Sequence, residues 1–308
     1  MKDVIWRIAQ FAVLAGLAVL LWQAADGRAA LEHLRTADPR WLALAALALT
    51  VQTLLSAQRW RVTAAQLGLH IPAFSALREY YLAQVVNQSL PGGVIGDASR
   101  AVRQRAQAGL RVSVQAVVFE RVAGQAGLLA VLAFGLAIGA IAPDGLAWPG
   151  WFPPALMLAS AVGVVAIAIA AFVPKLRDFT LAFTHAVWAP DVRGQQIVLS
   201  LATALCNVAA FAFCALGLGV SVSVVAMAAI VPLILFAMVL PLSVAGWGLR
   251  EGAAALLFPV MGATAAQGLA TSVAFGLIFL AVTLPGILVP LLGQTKTQTL
   301  SKEGPDAT

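Results

Sequence analysis

Charge is what this sequence lacks most. Only 10% of its 308 residues are Asp, Glu, Lys or Arg, 61% are hydrophobic, and the mean hydropathy is +0.92. An ordinary soluble domain carries about 25% charged residues. So few charges could not cover the surface of a soluble fold of this length, which excludes a buried all-α soluble enzyme. The few charges are also clustered. Ile8–Ala25, Trp41–Gln58, Val122–Pro143, Gly145–Pro174, Gly194–Leu249 and Gly252–Thr295 contain none. A membrane-spanning helix takes about 20 mostly apolar residues, so these runs read as spans.

Cysteine and histidine are scarce too. Cys206 and Cys214 lie on one apolar run, too far apart along a helix to pair and without the spacing of a metal site. His33, His70 and His185 are scattered among loop segments. No ligand constellation results, so no metal and no cofactor are expected.

The apolar runs predict an all-α polytopic transmembrane bundle. Seven spans stand out: Ile8–Trp22, Trp41–Ala57, Val114–Ile141, Ala155–Val173, Ile197–Leu218, Val224–Leu242 and Gly268–Leu292. Met1–Arg7 followed by an apolar run has the look of a secretory signal, but several more spans follow it, which favours an uncleaved first helix. One transmembrane domain is expected over residues 1–292, with a polar tail over 293–308. Between Gln58 and Ser113, seven arginines face two acids. Short loops rich in Lys and Arg stay in the cytoplasm, which orients the N-terminus inward, in a cytoplasmic membrane. Lys296 and Lys302 favour an inward tail as well. Seven spans would put that tail outside, so the expected count is seven to eight.

Two Gly-rich interruptions break the helical pattern, over about 83–100 and 240–263. The first reads Leu90-Pro91-Gly92-Gly93-Val94-Ile95-Gly96-Asp97-Ala98-Ser99-Arg100. The second runs from Leu240-Pro241 through Gly246-Trp247-Gly248-Leu249-Arg250-Glu251. Each has a Leu-Pro, small residues and glycines, then a charged cluster opening a new helical run. Irregular backbone is tolerated at membrane depth only where protein or water covers it. Paired breaks in corresponding halves point to a transporter-type site on discontinuous or re-entrant helices, and to an internal repeat. The alternative is two ordinary turns containing Pro and Gly.

Charges sharpen the reading, because an ionisable residue inside a span costs about 2.5–3.5 kcal/mol and usually has a partner and a purpose. Asp97 and Arg100, three apart, can pair on one helix face. Glu120 and Arg121 are adjacent, diverge around the helix and should meet separate partners. Arg250 and Glu251 stand likewise at the opening of the second broken helix. Asn87 adds a polar group before the first break. Arg103, Arg105 and Arg111 are expected to snorkel to the interface.

The run Asn87 to Arg100, with Pro91, Gly96 and Asp97, resembles the Asn-Pro-Gly-acid-Arg signature of the lysylphosphatidylglycerol synthase transmembrane-region family. Val118-Phe119-Glu120-Arg121 resembles its following Glu-Arg element. Pro241 with Gly246-Trp247-Gly248-Leu249-Arg250-Glu251 resembles its late Gly-rich Arg-Glu element. The sequence has Asp97 where Glu is common in the family. The resemblance implies a flippase-like protein that moves a phospholipid or other polar lipid between leaflets. By carry-over, Asn87, Asp97, Arg100, Glu120, Arg121, Arg250 and Glu251 would bind the lipid head group. Pro91, Gly92, Gly93, Gly96, Pro241, Gly246 and Gly248 would break the helices. A soluble aminoacyl-transferase domain is not expected after the last span, so lysyl transfer is not carried over and a transporter is favoured over an enzyme. The expected partners are membrane lipids, anionic or phosphorylated, and a homodimer or a biosynthetic-complex partner. Nucleic acid is not expected, since the basic balance fits anionic lipid surfaces. The rival readings are a membrane-embedded transferase acting on lipid-linked substrates and a non-catalytic partner in a lipid-synthesis complex.

Overall fold

The computed structural model describes residues 26–89, 93–141, 146–155, 173–221, 223–238 and 246–288, with residues 23 and 157. The expected first span, most of the fourth, the 293–308 tail, and Pro91, Gly92 and Pro241 lie outside the described residues. Among the described residues every regular element is helical.

Local signals set the helix starts. Helix α1, Gly27–Arg35, opens where the Asp26 carboxylate accepts from the Ala29 N–H at 3.2 Å. It sits in the polar stretch between the first two expected spans. Helix α2, Pro39–Gln66, has Pro39 in its first turn and the Asp38 carboxylate accepting from the Arg40 N–H at 2.9 Å. Such caps satisfy N–H groups that have no intrahelical partner. Then follow α3 (Ala73–Ser89), α4 (Ile95–Ile141), α5 (Pro174–Trp188), α6 (Arg193–Gly217) and α7 (Val224–Ala237). Helix α8 (Leu249–Leu257) leads into a 3₁₀ turn, Phe258–Met261. Helix α9 (Ala265–Thr283) leads into another, Leu284–Leu288. At the start of α9, Thr264 Oγ1 accepts from the Gln267 N–H at 3.1 Å. Gln267 Oε1 accepts from the Thr264 N–H at 2.8 Å, a reciprocal cap.

Four segments are long and apolar enough to cross a membrane: Pro39–Gln66, Ile95–Ile141, Arg193–Gly217 and Ala265–Leu288. At about 1.5 Å per residue the shortest is about 36 Å long, against about 30 Å of hydrocarbon. Helix α2 has the inverted pattern that lipid requires. Its exposed side carries Leu44, Leu47, Val51 and Leu54, while Thr53, Ser56, Arg59 and Thr63 are buried. In water the apolar stripe would face inward.

Helix α4 is not straight. Gly109 has φ 78° and ψ 162°, far from helical. Arg100 Nη2 nevertheless lies 3.3 Å from Glu120 Oε2. Twenty residues of straight helix would separate their Cα atoms by about 30 Å, beyond the reach of the two side chains. Residues 95–108 must therefore fold back along residues 110–141. The second arm contains the span expected at Val114–Ile141, and the first carries Asp97 and Arg100.

The main core gathers residues of α6, α7, α8 and α9 with parts of α2 and α4, around Phe211, Phe258 and Phe275. Phe211 and Phe275 have ring centroids 5.2 Å apart. Helix α2 packs most extensively against α6, and α4 against α7 and α6. A smaller core of Trp60, Leu69, Ile71, Tyr80 and Val117 joins α2, α3 and α4. That junction holds the first polar cluster.

Candidate functional site

The first cluster is assembled across the break between α3 and α4. The Asn87 side chain, near the end of α3, bridges that break. Its Oδ1 accepts from the Gly96 N–H at 2.7 Å, and its Nδ2 donates to Asp97 Oδ2 at 3.1 Å. It therefore caps one of the free amides opening α4 and fixes the first carboxylate. Close approach requires the glycine. A Cβ on Gly96 would lie 2.0 Å from the Ala83 carbonyl oxygen.

From Asp97 a chain of alternating charges runs inward. On the surface side Arg121 donates to Asp97. Arg100 Nη2 donates to Asp97 Oδ1 at 3.0 Å and to Glu120 Oε2 at 3.3 Å. Glu120 Oε1 accepts from Arg59 Nη2 at 2.7 Å and from the Tyr80 hydroxyl at 3.3 Å. The side chain of Arg121 is 47% exposed, while Arg100 and Glu120 are fully buried. Trp60 and Tyr80 lie against the Arg100 guanidinium, with centroids 4.3 and 4.6 Å from Cζ. Such cation–π contacts are worth about 2 kcal/mol when desolvated. They occupy the faces of the guanidinium and leave its edge to hydrogen bonds.

The edges are only partly used. Nε and Nη1 of Arg59, and Nε and Nη1 of Arg100, are buried and have no hydrogen-bond partner among the described residues. A buried unmade bond costs about 1–3 kcal/mol, more for charged groups. Four such donors on two adjoining arginines form an acceptor-seeking surface.

The second cluster lies at the opening of α8. Gly246 and Gly248 have φ of 81° and 87°, values that favour glycine. Glu251 Oε2 accepts from the Gly248 N–H at 2.6 Å. Its other oxygen, Oε1, accepts from Arg250 Nη2 at 2.6 Å and from Ser272 Oγ at 3.1 Å. Arg250 Nε also donates to Ser272 Oγ at 2.9 Å. Arg250 is fully buried, with Trp247 and Phe275 at 4.9 and 5.4 Å from its Cζ. The guanidinium fits because residue 276 has no side chain: a Cβ there would lie 2.2 Å from Nη2. Both breaks are thus followed by a fully buried arginine held by a carboxylate and covered by aromatic rings.

The structure brings Asn87, Gly96, Asp97, Arg100, Glu120 and Arg121 together in the first cluster, and Gly248, Arg250 and Glu251 in the second. Gly93 and Gly246 lie in the backbone leading to them, both with positive φ. Glu120 and Arg121 do diverge to separate partners. Arg250 and Glu251 do not: the Glu251 side chain turns back to the start of α8, which aligns its carboxylate with the guanidinium. Arg103, Arg105 and Arg111 are exposed, and Arg103 is held by Glu79.

Sequence reasoning missed Arg59, Trp60, Tyr80, Trp247, Ser272 and Gly276. Arg59 follows directly on a charge-free run and was counted among loop arginines. The signal that could have found it is the spacing of Thr53, Ser56, Arg59 and Thr63, which puts polar groups on one face of an otherwise apolar helix.

Comparison with protein families matches residues 7–286 to the family described as lysylphosphatidylglycerol synthase TM region. Comparison with curated proteins finds no match, and comparison with solved structures finds none.

Proposed function

The chain belongs to the lysylphosphatidylglycerol synthase TM-region family, and from that premise we propose that it moves a phospholipid or other polar lipid between the leaflets of the cytoplasmic membrane. It is an integral membrane protein of a family tied to lipid metabolism or translocation. The observation that carries the proposal is the chain Arg121–Asp97–Arg100–Glu120–Arg59, buried at every member but Arg121. Ions so deep in an apolar protein are costly, and replacing them by apolar residues would often be neutral or better for stability. Their retention with unmade hydrogen bonds argues for a ligand. Arginine suits phosphate because it offers charge and several donors together.

In this mechanism the head group enters beside Arg121 and takes up donors of Arg100 and Arg59, while its acyl chains stay in the bilayer. Asp97 and Glu120 hold the arginines when the site is empty, so that no buried charge is left alone. Arg250 and Glu251 form the corresponding station in the second half.

Helix lengths support the discontinuous architecture. At about 1.5 Å per residue the first arm of α4 is about 21 Å long. Helices α7 and α8 are about 21 and 13 Å. All fall short of a full crossing of about 30 Å. We therefore read both breaks as re-entrant or discontinuous segments of an internal repeat, in a bundle of seven to eight spans with a cytoplasmic N-terminus.

The test is lipid translocation in reconstituted vesicles, followed by the accessibility of a labelled phospholipid. Arg100→Ala should abolish transport, Arg121→Gln should slow it, and the exposed Arg111→Gln should leave it unchanged. Equal transport by wild type, Arg100→Ala and Arg121→Gln would remove this cluster from the pathway.

A further inference from the structure

Arg59 has more hydrogen-bonding capacity than its carboxylate uses. Its Nη2 donates to Glu120 Oε1 at 2.7 Å, while Nε and Nη1 are buried without a partner among the described residues. Across the junction of α2 and α6, Gln196 has the complementary surplus. Its Nε2 donates to Thr63 Oγ1 at 2.9 Å, and Thr63 Oγ1 donates to the Arg59 carbonyl at 3.0 Å. Gln196 Oε1 is buried without a partner among the described residues. Arg59 is 4% exposed and Gln196 2%. Buried polar groups are nearly always hydrogen-bonded, so spare donors and a spare acceptor joined through one hydroxyl point to a molecule between them. The same seam reaches the surface. At its exposed end Gln66 Nε2 donates to Asp191 Oδ2 at 3.0 Å. Gln66, Thr63 and Arg59 are three and four residues apart and share one face of α2, with Arg59 about 10 Å below Gln66 along the axis. Polar groups thus descend turn by turn from the surface to the buried guanidinium. Helix α4 closes the third side. A Cβ on Gly124 would lie 2.6 Å from Arg59 Nη2, and one on Gly127 2.5 Å from the Ser200 carbonyl oxygen.

We propose that an aqueous passage runs between α2 and α6 from the Gln66–Asp191 pair to Arg59, and that water held by Arg59, Thr63 and Gln196 hydrates the ion chain from that end. The partners select water over an ion. The Arg59 charge is already met by Glu120. Gln196 Oε1 needs a donor, which an aprotic anion cannot supply and a cation would supply only beside a guanidinium. Water accepts from an Arg59 N–H, donates to Gln196 Oε1, and gives its second hydrogen to the remaining lone pair of Thr63 Oγ1. That makes about three bonds, the usual number for a buried water. The passage is separate from the half-exposed Arg121 and does not depend on what the cluster carries. Water in it keeps the spare Arg59 donors occupied until another acceptor takes them.

The experiment is radiolytic hydroxyl-radical labelling of the purified full-length protein, which marks side chains in contact with water, bound water included. Cys206 and Cys214 are first replaced by alanine. Thr63→Cys and Ala64→Cys then place the same thiol at neighbouring positions of α2, both 0% exposed. Position 63 faces the passage, and position 64 belongs to the apolar core of Trp60 and Leu69. The thiol at 63 should be oxidised at least about tenfold faster than the thiol at 64, because only the first touches bound water. Gln196→Leu removes the acceptor and should bring the rate at 63 down to that at 64. Equal rates at the two positions, or a rate at 63 that Gln196→Leu does not lower, would overturn the inference. The wild type gives a check that needs no variant. A high-resolution cryo-electron microscopy map in lipid nanodiscs should show water within hydrogen-bond distance of both Arg59 and Gln196 Oε1. A dry, direct contact between those two side chains would refute the passage.

Discussion

Replacing Gly109 by alanine tests the backbone reversal on which the first cluster depends. Asp97 and Arg100 lie on one arm of α4, Glu120 and Arg121 on the other, and they meet only because the chain turns back at Gly109. Its φ of 78° with ψ of 162° falls in a region that is essentially glycine-only. An added Cβ would meet nothing within 4 Å, so the substitution isolates backbone strain from packing. That strain is about 1–3 kcal/mol, enough to lower the population of the folded-back form relative to alternatives by roughly 5- to 150-fold. Two assays read it. Reversible unfolding in mixed micelles should report a loss of that size for Gly109→Ala. Spin labels on Val102 and Val118, exposed positions on the two arms, should report a short distance in the wild type. The distance distribution should broaden toward the separation in a straight helix, about 24 Å, in the variant. A wild-type distance already near that value would refute the hairpin. An unchanged unfolding midpoint for Gly109→Ala would refute the strain argument.

Gly276→Ala should destabilise by about 1–3 kcal/mol, because its Cβ would lie 2.2 Å from Arg250 Nη2 and must dislodge it; thermal unfolding checks this, and Arg250→Lys in the same background should restore part of the loss. Asn87→Ala leaves the Gly96 N–H without its partner and takes one of two donors from Asp97 Oδ2, which keeps Arg121; it should cost about 1–3 kcal/mol, read by unfolding and by weaker transport. Arg103→Gln removes an ion pair whose arginine is 35% exposed, so its effect on stability should stay within about 1 kcal/mol; a loss as large as that for Asn87→Ala would mean that Glu79 and Arg103 belong to the buried network.

Much of the candidate site was legible as residue types. The Leu-Pro and Gly pattern marked both breaks. Buried charge is costly enough that Asp97, Arg100, Glu120, Arg250 and Glu251 stood out by being there at all. Their partners were less legible. The Asp97–Arg100 pair follows from helical spacing. The Arg59–Glu120 pair joins positions 61 apart in sequence, on α2 and α4, and no local periodicity encodes that. Helix α1 was hidden for another reason: at nine residues it is too short for a span, and a reading based on long apolar runs passes over it.

The sequence by itself determined the solvent. Long charge-free runs can only be stable in lipid, because every backbone group within a helix is satisfied internally and apolar side chains need no water. It also marked the two Gly-rich breaks, since proline and glycine act through the local backbone, but not every such residue ends a helix: Pro232 lies inside α7. Tertiary structure alone decided which charges meet. The reversal at Gly109, the bridge of Asn87 across the break and the space left by Gly276 for a guanidinium are consequences of how helices pack. An ion pair forms over a few ångströms, and only the fold sets distances of that size between residues far apart in the chain.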